Sequence, residues 1–261
     1  MTKRLAIANR KGGVGKSTLS FHIAHYAAER GIKTLVIDFD SQGNLSSSLA
    51  GRTRLKNLEE EVTISDDLFE TDGLEIKPLE CRENLHLIPS QINDNYLASR
   101  ETEKPSITAP RHNLNRISDL YDLILIDCPP GVGSLMVAGL TAAENVIIPV
   151  KVSGHALEGT ISINDLVGEL RKKGHTQLKI SGILVNMFNS RVRSHKDAIS
   201  TLREKAGNLV LNTVIANRGP IDDAINTDEP VWSMRSGAAA VASKEIQAAI
   251  KEIFERIALE H

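Results

Sequence analysis

Short apolar runs alternate with helix-spaced patterns along this chain. The runs are Leu5–Ala8, Thr34–Ile37, Leu85–Ile88, Leu123–Ile126, Val146–Val150, Ile180–Val185 and Val210–Ile215. Each is rich in branched aliphatics and bounded by Gly, Pro, Asp or Asn. Continuous apolar runs of this length predict strands buried on both faces. Helical spacing between them predicts βαβ units. Right-handed crossovers then place helices on both faces of a mostly parallel, twisted α/β sheet.

Three stretches depart from that rhythm. Residues 51 to 84 are acidic, with Glu59-Glu60-Glu61, Asp66-Asp67, Glu70, Asp72 and Glu75, and read as a solvated surface excursion. Residues 100 to 113 carry Pro105, Pro110 and many polar groups, and read as a mobile connection. The last helix, about Ala242 to Ala258, puts Ile246, Ile250, Ile253 and Ile257 on one face. That spacing predicts packing on the domain. A membrane-surface helix would want a more basic polar face, and here Glu245, Glu252 and Glu255 balance Lys244, Lys251 and Arg256. The final Leu259-Glu260-His261 reads as a purification-tag junction, which leaves residues 1–258 as one domain.

Composition changes the picture only at the margins. Aromatics make up 3% of the chain, so the core must come from Ile, Leu, Val and Ala. The formal net charge of -2 implies that any surface for polyanions is a local patch. Cys81 and Cys128 stand far apart in no metal-like spacing, which suits a reduced, cytoplasmic protein. No run of about 18 apolar residues and no N-terminal apolar h-region is found, so neither a membrane span nor a signal peptide is expected.

The candidate chemistry begins after the first strand. Lys11-Gly12-Gly13-Val14-Gly15-Lys16-Ser17-Thr18 is followed by Leu19, His22, Ile23 and Tyr26 at helical spacing. Strand, glycine loop and helix in that order make a P-loop. Glycines let backbone N–H groups converge on an anion, and the helix N-terminus adds its positive end. Lys16 is placed to neutralise β- and γ-phosphate charge of ATP, and the Ser17 hydroxyl to ligate Mg²⁺. Arg10 stands where the strict pattern has its first glycine, and Lys11 adds a second lysine. Two further strands end in acids: Leu35-Val36-Ile37-Asp38-Phe39-Asp40 and Leu123-Ile124-Leu125-Ile126-Asp127. Ligands of open α/β sheets sit at the carboxyl ends of strands, so all three acids should face the loop. A carboxylate there holds Mg²⁺ through its water shell, and another orients the attacking water.

These segments, with Ser41-Gln42-Gly43-Asn44, Cys128-Pro129-Pro130-Gly131, Ile147-Ile148-Pro149-Val150 and Leu157-Glu158-Gly159, resemble the ParA/MinD group of deviant Walker ATPases. The likeness runs from residue 3 to about 258 and is strongest to ParA-type DNA partition ATPases of the short class. It implies a nucleotide-sandwich homodimer formed on Mg-ATP, with Lys11 reaching the partner's phosphates. It implies that Asp40 supports hydrolysis and that Asp38 and Asp127 stand near Mg²⁺. It also implies non-specific DNA binding, nucleoid association in the ATP state, and slow hydrolysis stimulated by a centromere-binding, ParB-like partner.

In many relatives the strand at Val214-Ile215 runs on into Pro-Arg-Asn, where this chain reads Ala216-Asn217-Arg218. Candidate DNA contacts are therefore Arg191, Arg193, Lys196 and Arg203, with Arg218 and Arg235 as a second set and Lys244 as a further contributor; any of them is otherwise a solvated surface charge. Asn186 ends a strand and reads adenine or serves as a turn residue. The competing functions are a MinD-like membrane-associated regulator, disfavoured by the weakly basic last helix, and a metabolic P-loop ligase, for which no substrate pocket is legible.

Overall fold

A computed structural model describes residues 1–70, 74–91, 95–103, 105–152 and 156–259, without the side chains of residues 103 and 156–159. Asp72, the side chains of Leu157, Glu158 and Gly159, and the terminal Glu260 and His261 lie outside the described residues.

In chain order the elements are β1 (Lys3–Ile7), α1 (Lys16–Ala28), β2 (Thr34–Asp38), α2 (Asn44–Ala50), α3 (Arg52–Lys56), β3 (Leu79–Arg82), β4 (Leu85–Ile88), α4 (Asn95–Glu103) and α5 (Ala109–Asn115). There follow β5 (Leu123–Asp127), α6 (Ser134–Ala142), β6 (Asn145–Lys151), α7 (Ala156–Lys172), β7 (Lys179–Phe188), α8 (Arg193–Ala206), β8 (Val210–Ala216), α9 (Gly219–Asn226) and α10 (Gly237–Ile257). The eight strands form one sheet in the order β3-β4-β2-β5-β1-β6-β7-β8. Every neighbouring pair is parallel except β3 with β4.

Both faces of the central strands are buried, and the pleat sends alternate residues to each. Leu5 and Ile7 of β1, Leu123 and Leu125 of β5 and Val36 of β2 join one core, with α1 and α10. Ala6, Ile124, Ile126, Leu35 and Ile37 join the other, with α6 and α7. The apolar runs are continuous for this reason. The seven expected strands are all present.

The acidic excursion holds more structure than its charge suggests. Leu79-Glu80-Cys81-Arg82 forms the antiparallel edge strand β3 and turns back into β4 through Asn84 at φ 60°. The expected mobile connection at residues 100–113 is instead largely helical. The C-terminal part of α4 and most of α5 fall within it, and Pro110 sits in the first turn of α5, where a missing N–H breaks no helical bond.

The last helix starts earlier than its isoleucine spacing suggests, at Gly237, because the Ser236 hydroxyl accepts the Ala239 N–H at 3.0 Å. Ile246, Ile250, Ile253 and Ile257 are buried in the core, so this apolar face is not offered to a membrane. Leu259 is buried with them. The polar side of α10 protects the sheet edge. Glu252 accepts the N–H groups of Asn212 (2.8 Å) and Thr213 (2.9 Å), and Glu245 accepts that of Ala216 (3.1 Å). Among the described residues no helix is long and apolar enough to cross a membrane.

Burial of His22 adds an acid sensitivity to the fold. His22 Nδ1 bonds the Thr18 carbonyl at 2.8 Å, and Nε2 bonds the Val231 N–H at 3.4 Å. A backbone N–H only donates, so Nε2 accepts, Nδ1 carries the proton and the ring is neutral. Burial lowers its pKa to about 4. Since the unfolded chain takes up this proton first, stability conferred by the neutral ring is present above about pH 6.5 and is lost as pH falls toward 4. Between pH 7 and 5 that loss is about 2 kcal/mol. Urea unfolding at the two pH values should show it as the difference between the wild-type chain and His22→Asn; equal pH dependence of the two would contradict it.

Candidate functional site

The carboxyl ends of β1, β2 and β5 meet at one edge of the sheet. In register, Ile7 pairs with Asp127, and Asp127 with Asp38. Beside them the loop of residues 9–15 leads into α1. A cavity of about 310 Å³ opens there, lined by Gly12, Gly13, Gly15, Lys16, Ser17, Thr18, Asp40 and, from farther along the chain, Met187 and Ile225.

Neighbouring strands hold the loop in place. The Asn9 side chain donates to the Pro149 carbonyl of β6 at 2.7 Å and accepts the Lys11 N–H at 2.9 Å. Lys16 is buried and its Nζ donates to the Lys11 carbonyl at 3.3 Å. The Lys11 backbone is thus fixed at both its N–H and its carbonyl. Gly131, after β5, donates to the Arg10 carbonyl at 2.8 Å. Gly12 and Gly13 are exposed at the cavity mouth, and Val14 is buried beneath. Gly15 has φ 89°, and a Cβ there would lie 2.2 Å from Asn186 Nδ2, so only glycine fits.

That contact fixes the place of Asn186. Its Nδ2 donates to the Val14 carbonyl at 2.9 Å and its Oδ1 accepts the Met187 N–H at 2.9 Å. Here the side chain clamps the loop. Met187, which follows it, holds φ 54°, a conformation costing on the order of 1 kcal/mol for a non-glycine residue.

The three acids differ in environment. Asp127 is buried and accepts the Ser17 hydroxyl at 2.6 Å and the Ser20 hydroxyl at 2.8 Å. Asp38 is buried and accepts the Asp40 N–H at 3.0 Å, the Ser46 N–H at 2.9 Å and the Ser46 hydroxyl at 2.7 Å. Burial pushes both carboxyls above the usual carboxylate range, and the charge of Asp127 raises Asp38 further. Asp40 is only half-buried and lines the cavity, its Oδ1 accepting the Gln42 N–H at 3.1 Å.

No cluster of three acidic, His or Cys ligands is found among the described residues. Mg²⁺ does not require one, because it keeps several waters and takes few protein ligands beside substrate phosphates. Two buried carboxylates and a hydroxyl fit it: Lys16 acts on Asp127, Asp38 is held by neutral donors, and Ser17, donating its hydrogen to Asp127, keeps its lone pairs for a cation.

The basic candidates separate into two kinds. Arg191, Arg193 and Lys196 are exposed at the start of α8, in a turn where Asn189 Oδ1 accepts the Arg191 N–H at 3.0 Å. Only Phe188 and the turn of residues 189–192 separate this group from Met187 in the cavity wall. Arg203 is exposed farther along α8, and Arg235 and Lys244 are exposed at and near the start of α10. Arg218 departs from the expected free cation. Its Nε and Nη2 grip Glu245 at 2.9 and 2.6 Å, and this pairing raises its pKa.

The positioning residues Asn9, Ser20 and Ser46 were not singled out by sequence reasoning. Their only signal is a small polar residue at a strand end or in the first turns of a helix.

A family profile described as an AAA domain matches residues 2–180. The chain is 33% identical over 249 residues to the chromosome-partitioning ATPase Soj of Treponema pallidum, covering 94% of this chain and 95% of the relative. It is also 33% identical over 258 residues to the sporulation initiation inhibitor protein Soj of Bacillus subtilis, covering 95% and 99%. Among solved structures, a putative plasmid partition protein of Borrelia burgdorferi bound to AMPPNP superposes with a TM-score of 0.80 at 24% identity, covering 99% of each chain. At that identity the likeness speaks for the fold.

Proposed function

This chain belongs to the ParA-type partition ATPases, and on that premise we propose that it is a Mg-ATP-driven DNA-binding switch. Residues 1–258 act as one unit, a reading supported by the single continuous sheet. ATP phosphates lie in the loop Lys11–Ser17, with Lys16 against the β- and γ-phosphates. Ser17, Asp38 and Asp127 are the residues to hold Mg²⁺, which when bound neutralises phosphate charge. In hydrolysis a water oxygen bonds the γ-phosphorus while the bond to the β-phosphate oxygen breaks, giving ADP and phosphate. Asp40 orients that water. The observation that carries this role is that, of the three strand-end acids, Asp40 alone lines the cavity while the other two are fully buried.

Two ATP-bound copies face each other, and Lys11 from each reaches the other's phosphates. Dimerisation sets two copies of the Arg191, Arg193 and Lys196 patch side by side, and their phosphate contacts act together on DNA. In the cell this places the ATP form on the nucleoid. Release follows slow hydrolysis, which a centromere-binding partner speeds. The placement of the patch beside Met187 supports coupling of nucleotide state to DNA contact.

Replacing Arg191, Arg193 and Lys196 together by Ala tests this surface. DNA affinity should fall alike for unrelated duplexes, and the salt slope should lessen by about 1 per lost phosphate contact. ATP turnover without DNA should persist. Full DNA affinity in the triple variant would move the surface to Arg235 and Lys244, since Arg218 is held by Glu245.

A further inference from the structure

We infer that Ser46 is a positioning residue for Asp38, linking that acid to the chain leaving β4 and governing how the site takes up its divalent cation. This deepens the ATPase reading above and rests on it. Ser46 lies on α2 and is fully buried. Its N–H and its hydroxyl both point at the same oxygen, Asp38 Oδ2, at 2.9 and 2.7 Å. From the other side the Ser90 N–H donates to Ser46 Oγ at 3.0 Å.

The direction of this relay is fixed. A backbone N–H can only donate, so Ser46 Oγ must accept from Ser90, and its single hydrogen is left for Asp38. With the Asp40 N–H on Oδ1, Asp38 faces three donors whose hydrogens cannot reverse. Such a set favours a carboxylate anion in a place where burial opposes one. It also fixes both oxygens, and through Oδ1 it fixes the backbone of Asp40.

The start of α2 has little freedom to compensate. Gly43 precedes it at φ 61°, and a Cβ there would meet the carbonyl oxygens of Ser90 and Gln91 at 3.2 Å. The helix therefore sits directly against the chain that supplies the Ser90 donor. Removing the Ser46 hydroxyl would strip one donor from Asp38 and one acceptor from Ser90 together. Asp38 would then be a poorer and less fixed anion for a cation's water shell, while Lys16 and the glycine loop would be untouched.

The test uses the full chain and two readouts. In Ser46→Ala the Mg²⁺ concentration for half-maximal ATP turnover should rise about tenfold, and turnover at saturating ATP should fall by about the same factor. Binding of a fluorescent ATP analogue in EDTA should stay within about twofold, because the affected interaction acts through the cation. Titrating Mg²⁺ onto the bound analogue should show the same weakened response without any turnover. Ser47→Ala is the control. It removes a hydroxyl from the same helix, bonded to the Gly43 carbonyl at 2.7 Å with no link to Asp38, and should behave as wild type. If Ser46→Ala does not fold, Ser46→Cys, of similar volume and weak donor strength, takes its place with the same expectation. A wild-type Mg²⁺ response in the Ser46 variant, or equal losses in the Ser46 and Ser47 variants, would overturn the relay alone. A wild-type chain without Mg²⁺-dependent ATP turnover would overturn the ATPase reading, and the relay with it.

Discussion

Asp40→Ala should lower ATP turnover by about 100-fold or more while ATP still binds. The separation follows from where the three acids stand. Asp38 and Asp127 are sequestered under serine and backbone donors, so they shape the ground state of the site. Asp40 lines the cavity and is tied to the fold mainly through its backbone, its N–H donating to Asp38 and its carbonyl accepting from Gly43 at 2.9 Å. Removing its carboxylate leaves those backbone bonds in place. Positioning a water counts in the transition state and little in ATP binding. The Kd for ATP should therefore change by less than about tenfold, or about 1.4 kcal/mol. Single-turnover hydrolysis beside an equilibrium ATP titration measures both, and normal turnover in Asp40→Ala would remove Asp40 from the reaction.

Adding Lys11→Ala to that hydrolysis-blocked chain should return the ATP-bound dimer to monomer. Two sets of triphosphate charge facing across an interface repel, and a cation delivered from each side offsets them. At about 4 Å and an effective dielectric near 20, one such contact is on the order of 4 kcal/mol, enough to shift a dimer equilibrium about a thousandfold. In that arrangement the loop would deliver it from a fixed backbone. Asn9 fixes the Lys11 N–H and Lys16 fixes its carbonyl, so the side chain leaves from a set point and less ordering is required on association. Light scattering of the two chains with ATP and Mg²⁺ gives the comparison. An ATP-dependent dimer that survives without Lys11 would exclude the sandwich arrangement.

The strands and the loop were legible because their signals are local. Continuous apolar runs reported seven strands, and the strand-end acids reported the edge at which the site forms. β3 was hidden because a four-residue edge strand with apolar groups only at Leu79 and Cys81 carries little periodicity amid the surrounding acids. The segment holding α4 and α5 was obscured by Pro105 and Pro110, which read as breaks although Pro110 starts a helix. The hydrogen bonds that hold the site were out of reach for a different reason. Asn9 meets Pro149, Asn186 meets Val14 and Ser46 meets Ser90, contacts that exist only once the sheet is assembled. The same holds for the cations. Nothing near Arg218 in sequence announces Glu245, which occupies its guanidinium, whereas Arg191 and Arg193 stay exposed on their turn.

Whether nucleotide state switches DNA contact is tested most directly by the DNA affinity of the Asp40→Ala chain with Mg-ATP and without nucleotide, on two unrelated duplexes across a salt series. The chain's slight negative charge should leave the nucleotide-free form a weak binder. With Mg-ATP, binding should tighten at least about tenfold, be equal for the two duplexes, and weaken steeply as salt rises. Equal affinity with and without ATP, or no binding in either state, would contradict the switch.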